Sequence, residues 1–172
     1  LVLAGAAWFE NFTLSTSTVT AASAALPEAF SGLRIVQISD LHGRRFDAES
    51  RYLLELVRLQ SPDLIALTGD LADEFTDFSM LPPLLDGLTA LAPTFYVTGN
   101  HEWVLSREKR EALFSMLDAA GVVRLQNEYR LLKKGQASIV LAGVDDPNGP
   151  YDQKRPAQLV REIRQSRGRD AY

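Results

Sequence analysis

Three polar residues recur at intervals of 30 residues along the chain: Asp40, Asp70 and Asn100. Both histidines of the sequence, His42 and His101, stand within two residues of one of them. Carboxylate, imidazole and amide oxygen are ligands for hard-to-borderline divalent metals, and the chain has no cysteine to add sulfur. A carboxylate in the middle position can bridge two metal ions. Two metal ions bound side by side can activate a water molecule for attack at phosphorus. The pattern therefore favours a two-metal hydrolytic site.

The elements that must position these groups are apolar runs that end just before each of them. Strand-like runs of β-branched and aromatic residues cover 34–39, 63–68 and 94–98, and helical patterns cover 48–60, 77–91 and the segment after Ser106. Strand–helix alternation at this spacing predicts right-handed βαβ crossovers and a parallel sheet. Ligands bind at the carboxyl edge of such a sheet, where all five candidate residues would meet.

The remaining segments extend this plan. Residues 129–134 and 137–144, separated by Gly135-Gln136, predict a β-hairpin. Residues 145–150 predict a loop and 156–167 a final helix with Pro156 near its start. Residues 13–25, rich in Ser, Thr and Ala, suit an edge strand or a linker. Asp47 and Ser106 are expected to cap helices at their N-termini, and Gly121 to end one.

Each polar residue also has an ordinary structural explanation. A single Asp at a strand end is often a helix cap or a turn former, and an Asn-His pair is often a turn. An unrelated α/β binding domain with capped strand ends is therefore kept as an alternative. Capping alone does not explain why both histidines fall within the strand-end clusters, so the metal site is the preferred interpretation.

The composition limits the size of the core and the classes of partner that the protein can bind. The 172 residues, 46% of them hydrophobic, suffice for one well-buried core. The formal net charge of −4 argues against a duplex nucleic-acid partner, which normally selects a basic face. The absence of cysteine excludes disulfides and thiolate chemistry. The apolar run Leu1–Phe9 is interpreted either as a packed strand or as the tail of a membrane anchor, and the second reading predicts membrane association through an N-terminal segment.

The motifs Asp40-Leu41-His42, Gly69-Asp70 and Gly99-Asn100-His101-Glu102 resemble the first three sequence blocks of the calcineurin-like metallophosphoesterases. Their surroundings, VQISDLHG, PDLIALTGDLAD and YVTGNHEW, resemble the membrane-associated branch of YkuE-like phosphoesterases and UDP-2,3-diacylglucosamine hydrolases. The resemblance covers residues 26–172 and leaves 1–25 as an anchor tail, linker or edge strand. It implies the family's αββα sandwich, of which this chain supplies the N-terminal βαβαβ half plus a hairpin.

The resemblance also implies roles for the site residues. Asp40 and His42 would bind a first divalent ion, Asp70 would bridge, and Asn100 would bind the second, the ions being Mn, Fe or Zn. His101 would contact the phosphate and protonate or stabilise the leaving oxygen. The implied substrate is a phosphomonoester, phosphodiester or pyrophosphate, with membrane or lipid-linked substrates among those of the branch. Further candidates for substrate contact or a supporting role are Arg44, which could meet a phosphate; Glu102, which would orient the neighbouring loop; and Asp145 and Asp146, beside the expected site.

The sequence departs from the family pattern in its histidines. The family continues with a further His and a Gly-His-x-His block, whereas this chain has only His42 and His101. Asp170-Ala171-Tyr172 resembles the lead-in to the strand that would carry the next His. We therefore expect an N-terminal part of a metallophosphoesterase that is nearly inactive by itself. The alternative is a truncated, non-catalytic chain or pseudoenzyme that retains the fold without a complete metal site.

Overall fold

The computed structural model describes residues 14, 16–47, 49–149 and 153–167. A parallel four-stranded sheet with the order β1-β2-β3-β4 organises this part of the chain. Its strands are β1 (Ile35–Ile38), β2 (Leu64–Thr68), β3 (Thr94–Val97) and β4 (Val123–Arg124). The α-helices are α1 (Arg51–Leu59), α2 (Leu81–Leu91), α3 (Asn100–Val104), α4 (Arg107–Ala119) and α5 (Pro156–Arg167). An antiparallel hairpin is formed by β5 (Glu128–Lys134) and β6 (Ala137–Gly143).

The register of the sheet brings the ends of β1, β2 and β3 to one edge. Ile38 of β1 lies opposite Leu67 of β2, and Thr68 of β2 lies opposite Val97 of β3. The three strands therefore end level with one another, and the loops that follow them start side by side. The predicted βαβαβ sheet is confirmed, and with it the expected edge for a site.

The two faces of the sheet are covered differently, because consecutive strand residues point to opposite sides. Ile65, Leu67 and Tyr96 face the main core, which the apolar sides of α1, α2 and α4 complete. Leu64 and Phe95 face a smaller cluster to which the β5–β6 hairpin contributes. One layer of helices and one partial second layer thus enclose the sheet, as expected for the N-terminal half of the sandwich.

One of the two predicted N-caps lies at its predicted residue, and the other is shifted along the chain. Helix α1 begins at Arg51 with Ser50 as its N-cap, three residues later than predicted. The Asp47 carboxylate nevertheless accepts hydrogen bonds from the backbone N–H groups of Glu49, Arg51 and Tyr52 at 3.0, 2.8 and 2.7 Å. These bonds, that of Tyr52 foremost, hold the pKa of Asp47 below its usual value.

Two of the α-helices and strands named above were not predicted. The five-residue helix α3 begins at Asn100, within a motif that looks like a turn, and β4 has only two residues. The segment 13–25 is predicted as an edge strand or linker; its described residues, 14 and 16–25, form no strand, and 16–25 are exposed. Ser106 caps α4 as predicted, and Gly121 follows that helix with a φ of 77°.

The prediction of membrane association is wrong, and the finding that contradicts it concerns the lengths of the helices. Among the described residues, no helix is long and apolar enough to cross a membrane. The longest of them, α4, has 13 residues, whereas a spanning helix needs about 20. The apolar run Leu1–Phe9, on which the prediction depended, lies outside the described residues, as does Asp170–Tyr172.

Candidate metal centre

Three predicted site residues converge where the strands end. His42, Asp70 and His101 each offer one ligand atom, and these atoms lie within 4.8 Å of one another. The rings of His42 and His101 meet edge to face, with centroids 4.5 Å apart and an interplanar angle of 85°. Each residue follows a different strand of the parallel sheet, so long-range folding assembles the group.

The loop after β1 is held in place by its backbone. The N–H groups of Asp40, His42 and Gly43 donate to the carbonyl oxygens of Gly69, Asp70 and Leu71 at 3.2, 2.9 and 2.9 Å. Asp40 and His42 have φ angles of 56° and 47°. Such left-handed conformations are uncommon outside glycine and store local strain, which accumulates at functional sites.

Two glycines allow the loops after β2 and β3 to touch. Gly69 has a φ of 89°, and a Cβ atom on it would lie 2.5 Å from the backbone nitrogen of Gly99. A Cβ on Gly99 would overlap Oδ1 of Asp70. That same oxygen accepts a hydrogen bond from the backbone N–H of His101 at 2.9 Å. Asp70, itself at a φ of 53°, is therefore fixed from two sides.

Glu102 forms hydrogen bonds to both of these loops. Its side chain is fully buried, and its carboxylate accepts hydrogen bonds from four backbone N–H groups. The donors are Asp70, Leu71 and Ala72 of the β2 loop, at 3.0, 2.7 and 3.4 Å, and Gly99 of the β3 loop, at 2.8 Å. The carboxylate thus lies where it can orient the bridging candidate Asp70, the kind of position that the resemblance implies for it.

Asp40 and Asn100 lie at the margin of the group. The Asp40 side chain is 66% exposed, with Oδ1 at 4.0 Å from Nε2 of His42 and Oδ2 accepting the Ser39 hydroxyl hydrogen bond. Asn100 is exposed at the first position of α3. Both are therefore open to solvent and to a ligand approaching the edge of the sheet.

Asp73 makes a contact that sequence reasoning missed. Its Oδ1 accepts hydrogen bonds from the backbone N–H of Phe75 and the hydroxyl of Thr76. Its Oδ2 also lies 3.7 Å from Nδ1 of His42. A carboxylate behind a ligand imidazole orients the ring. The only sequence signal was a second carboxylate three residues after Asp70.

The remaining candidate residues lie in the loops around the metal centre. Arg44 is exposed next to the β1 loop, and the guanidinium of Arg45 is engaged by Asp77 at 2.7 Å. Asp145 is buried and accepts the backbone N–H of Thr98 at 3.1 Å, which supports the end of β3. Asp146 accepts two hydrogen bonds from Asn148 within its own loop.

Tyr96 lies beneath the centre. Its hydroxyl is buried without a hydrogen bond of standard geometry to any described residue. Burial raises the pKa of Tyr96 well above its usual value, and the negative charge of Glu102 raises it further. The phenol therefore stays protonated and uncharged at neutral pH.

A parallel sheet with acidic and imidazole groups at its carboxyl edge defines an α/β protein with a candidate metal site, and comparison with known proteins specifies the family. The pattern of the calcineurin-like phosphoesterases matches residues 33–165, and the chain belongs to this family. It shares 33% identity with the uncharacterized metallophosphoesterase YkoQ of Bacillus subtilis over 66% of this chain and 43% of that protein. It shares 33% identity with the phosphodiesterase YaeI of Escherichia coli over 66% of this chain and 43% of that protein.

The uncharacterized metallophosphoesterase YkuE of Bacillus subtilis is similar over a longer stretch. The identity is 29% over 82% of this chain and 51% of YkuE. These similarities confirm the YkuE-like branch named from the motifs. The chain spans about half the length of these relatives.

Proposed function

We propose that this chain contributes to a metal-dependent phosphoesterase that hydrolyses a phosphomonoester, phosphodiester or pyrophosphate bond. The observation that supports this function best is the convergence of His42, Asp70 and His101 at the carboxyl edge of the sheet. Family membership and the relative described as a phosphodiesterase support the same reaction class.

The donor set fits a divalent ion. Ligand atoms bound to one ion at about 2.1 Å lie about 3 to 4 Å from one another, so a group within 4.8 Å needs only small side-chain rotations. The His42 imidazole and the Asp70 carboxylate suit Mn, Fe or Zn, and His101 lies close enough to contact a phosphate held by the same ion. Asp40 and Asn100, both exposed after the ends of β1 and β3, are proposed to complete the ligands for two ions, with Asp70 shared between them.

Bound divalent ions supply Lewis-acid activation of a water molecule and neutralise charge at phosphorus. The protein's own groups position the reaction. Glu102 and the glycine pair fix Asp70, while the backbone of the β1 loop fixes His42. His101 is proposed to contact the phosphate and to transfer a proton to the leaving oxygen, so that the P–O bond breaks and the departing group leaves protonated.

A second candidate follows from the histidine count. The family pattern has further histidines, and this chain has two. The polypeptide of residues 1–172 is therefore proposed to bind metal with incomplete shells and to hydrolyse esters weakly or not at all.

The test compares Asp70→Asn, His101→Asn and the control Asp86→Asn, which alters an exposed carboxylate on α2, in the full-length enzyme that contains this chain. Each is measured for bound Mn and for hydrolysis of a chromogenic phosphodiester. We expect Asp70→Asn to lose metal and activity together, and His101→Asn to lose turnover while retaining most of its metal. Equal loss of metal in both would contradict the separate roles. Turnover by residues 1–172 comparable with a full-length relative would reject the incomplete-site candidate.

A further inference from the structure

An open pocket of about 270 Å³ adjoins the candidate metal centre. It is lined by Asn100, Trp103, Val104 and Asn148. The first three are at positions i, i+3 and i+4 of α3, which places them on one face of that helix. Asn100 belongs both to this pocket and to the margin of the metal centre, so a ligand could occupy both at once.

The buried hydroxyl of Thr98 connects the two walls of the pocket. It accepts a hydrogen bond from Nε1 of Trp103 at 3.0 Å, on the helix side. It also accepts one from the backbone N–H of Asp146 at 3.4 Å, on the loop side. Thr98 is 5% exposed and lies directly after β3. The end of that strand therefore sets the distance between the walls.

Each wall is also fixed by its own contacts. The guanidinium of Arg110 lies 5.1 Å from the centre of the Trp103 ring, and the Phe114 ring packs edge-on at 6.5 Å. Gly149 approaches so closely that a Cβ atom on it would lie 2.8 Å from Cε2 of the indole. On the loop side, the backbone N–H and the amide of Asn148 both donate to Oδ1 of Asp146, at 2.8 and 2.7 Å.

The lining has a definite chemistry. Trp103 and Val104, the latter 71% exposed, present apolar surface, and two amides can each donate and accept hydrogen bonds. The volume lies below the range of about 300 to 1,000 Å³ that holds drug-sized ligands, so the pocket suits one ring rather than a long chain.

Building on the proposed function, we propose that this pocket binds the ring adjacent to the scissile phosphate and that Thr98 is the positioning residue that keeps its walls in register. The occupant is a ring with an apolar face and polar edges, attached to a phosphate ester. The face packs on Trp103 and Val104, and the edges bond to Asn100 and Asn148. An aromatic ring and a sugar share this chemistry.

The experiment uses the emission of Trp103 as a readout that needs no turnover. The background variant Trp8→Phe leaves Trp103 as the only tryptophan of the chain. The protein, with Mn²⁺ present, is titrated with phenyl phosphate, ribose 5-phosphate and inorganic phosphate. We expect saturable emission changes with one or both esters and none with inorganic phosphate, because only the esters carry a ring.

Thr98→Val removes the hydroxyl and retains the shape of the side chain. Its matched control is Thr94→Val, at the start of the same strand, where the buried hydroxyl donates only to Ala92. We expect Thr98→Val to raise the ester midpoint roughly fivefold or more, the size of one hydrogen bond. Val104→Asp should weaken ester binding too, and Val160→Asp on α5 should not.

Several outcomes would overturn the proposal. These are an equal response to inorganic phosphate, no response to either ester, and equal midpoints in the two threonine variants. The Mn content of the same samples tests the proposed function separately, because a protein without bound metal can still report ring binding through Trp103. A response to phenyl phosphate alone identifies an aromatic ring, and a response to ribose 5-phosphate alone identifies a sugar.

Discussion

The loops after β1 and β3 bring groups to the same centre but are stabilised in different ways. The β1 loop is held through its backbone, with Asp40 and His42 at positive φ and their side chains 66% and 35% exposed. The β3 loop is held by the fully buried side chain of Glu102. The first loop exposes candidate ligands under strain, whereas the second anchors the architecture. Stability and metal binding should therefore separate between the two loops.

The largest stability effect is expected at the β3 loop. Glu102→Leu keeps a side chain of similar size but leaves four backbone N–H groups without their acceptor. We expect the free energy of unfolding to fall by about 3 to 5 kcal/mol, because buried donors lose their partners together. Urea denaturation measures the change. The control is Glu111→Leu on α4, whose exposed pair with Arg107 should contribute under about 0.5 kcal/mol. Equal losses of unfolding free energy in Glu102→Leu and Glu111→Leu would contradict the anchoring role of Glu102.

Much of this arrangement could be predicted from sequence because hydrophobic pattern and spacing carry it. The apolar runs and the 30-residue interval predicted three parallel strands ending at one edge, and the motifs predicted which residues follow them. Helix α3 could not be predicted, because five residues give no helical periodicity and Asn100 resembles a turn residue. The two-residue strand β4 is likewise too short for an alternating pattern.

The finer geometry of the site depends on long-range contacts. Positive φ at Asp40, His42 and Asp70 was not predicted, and the backbone hydrogen bonds that join the β1 and β2 loops depend on the assembled sheet edge. The pocket beside α3 was also missed. The hydrogen bond from Trp103 to Thr98 depends on where the end of β3 and the 145–149 loop lie in the folded protein.

An intermediate effect is expected where the loops after β2 and β3 touch. Gly99 has a φ of −99°, so alanine meets no backbone strain there, but its Cβ would overlap Oδ1 of Asp70. We expect Gly99→Ala to lower stability by about 1 to 3 kcal/mol, as overpacking does, and to reduce bound Mn because Asp70 is displaced. The control is Gly32→Ala, which has positive φ and open space. It should cost about 1 kcal/mol through conformation alone and leave metal content unchanged. Full metal retention in Gly99→Ala would show that the carboxylate can adapt.

The smallest stability effect, with the opposite sign, is expected in the β1 loop. Asp40→Gly removes a mostly exposed side chain and relieves a φ of 56°. The folded state should gain up to about 1 kcal/mol from relief of strain, offset in part by the greater freedom of glycine in the unfolded chain. Metal affinity should fall, because Asp40 is a proposed ligand. Ser61→Gly is the matched control, since Ser61 is exposed, has a φ of 49° and lies at the end of α1. Urea denaturation without metal should show similar small shifts in both variants, while calorimetric titration with Mn should show weakened binding only in Asp40→Gly. A loss of stability as large as that of Glu102→Leu would mean that the β1 loop also anchors the fold, and the division between the two loops would be wrong.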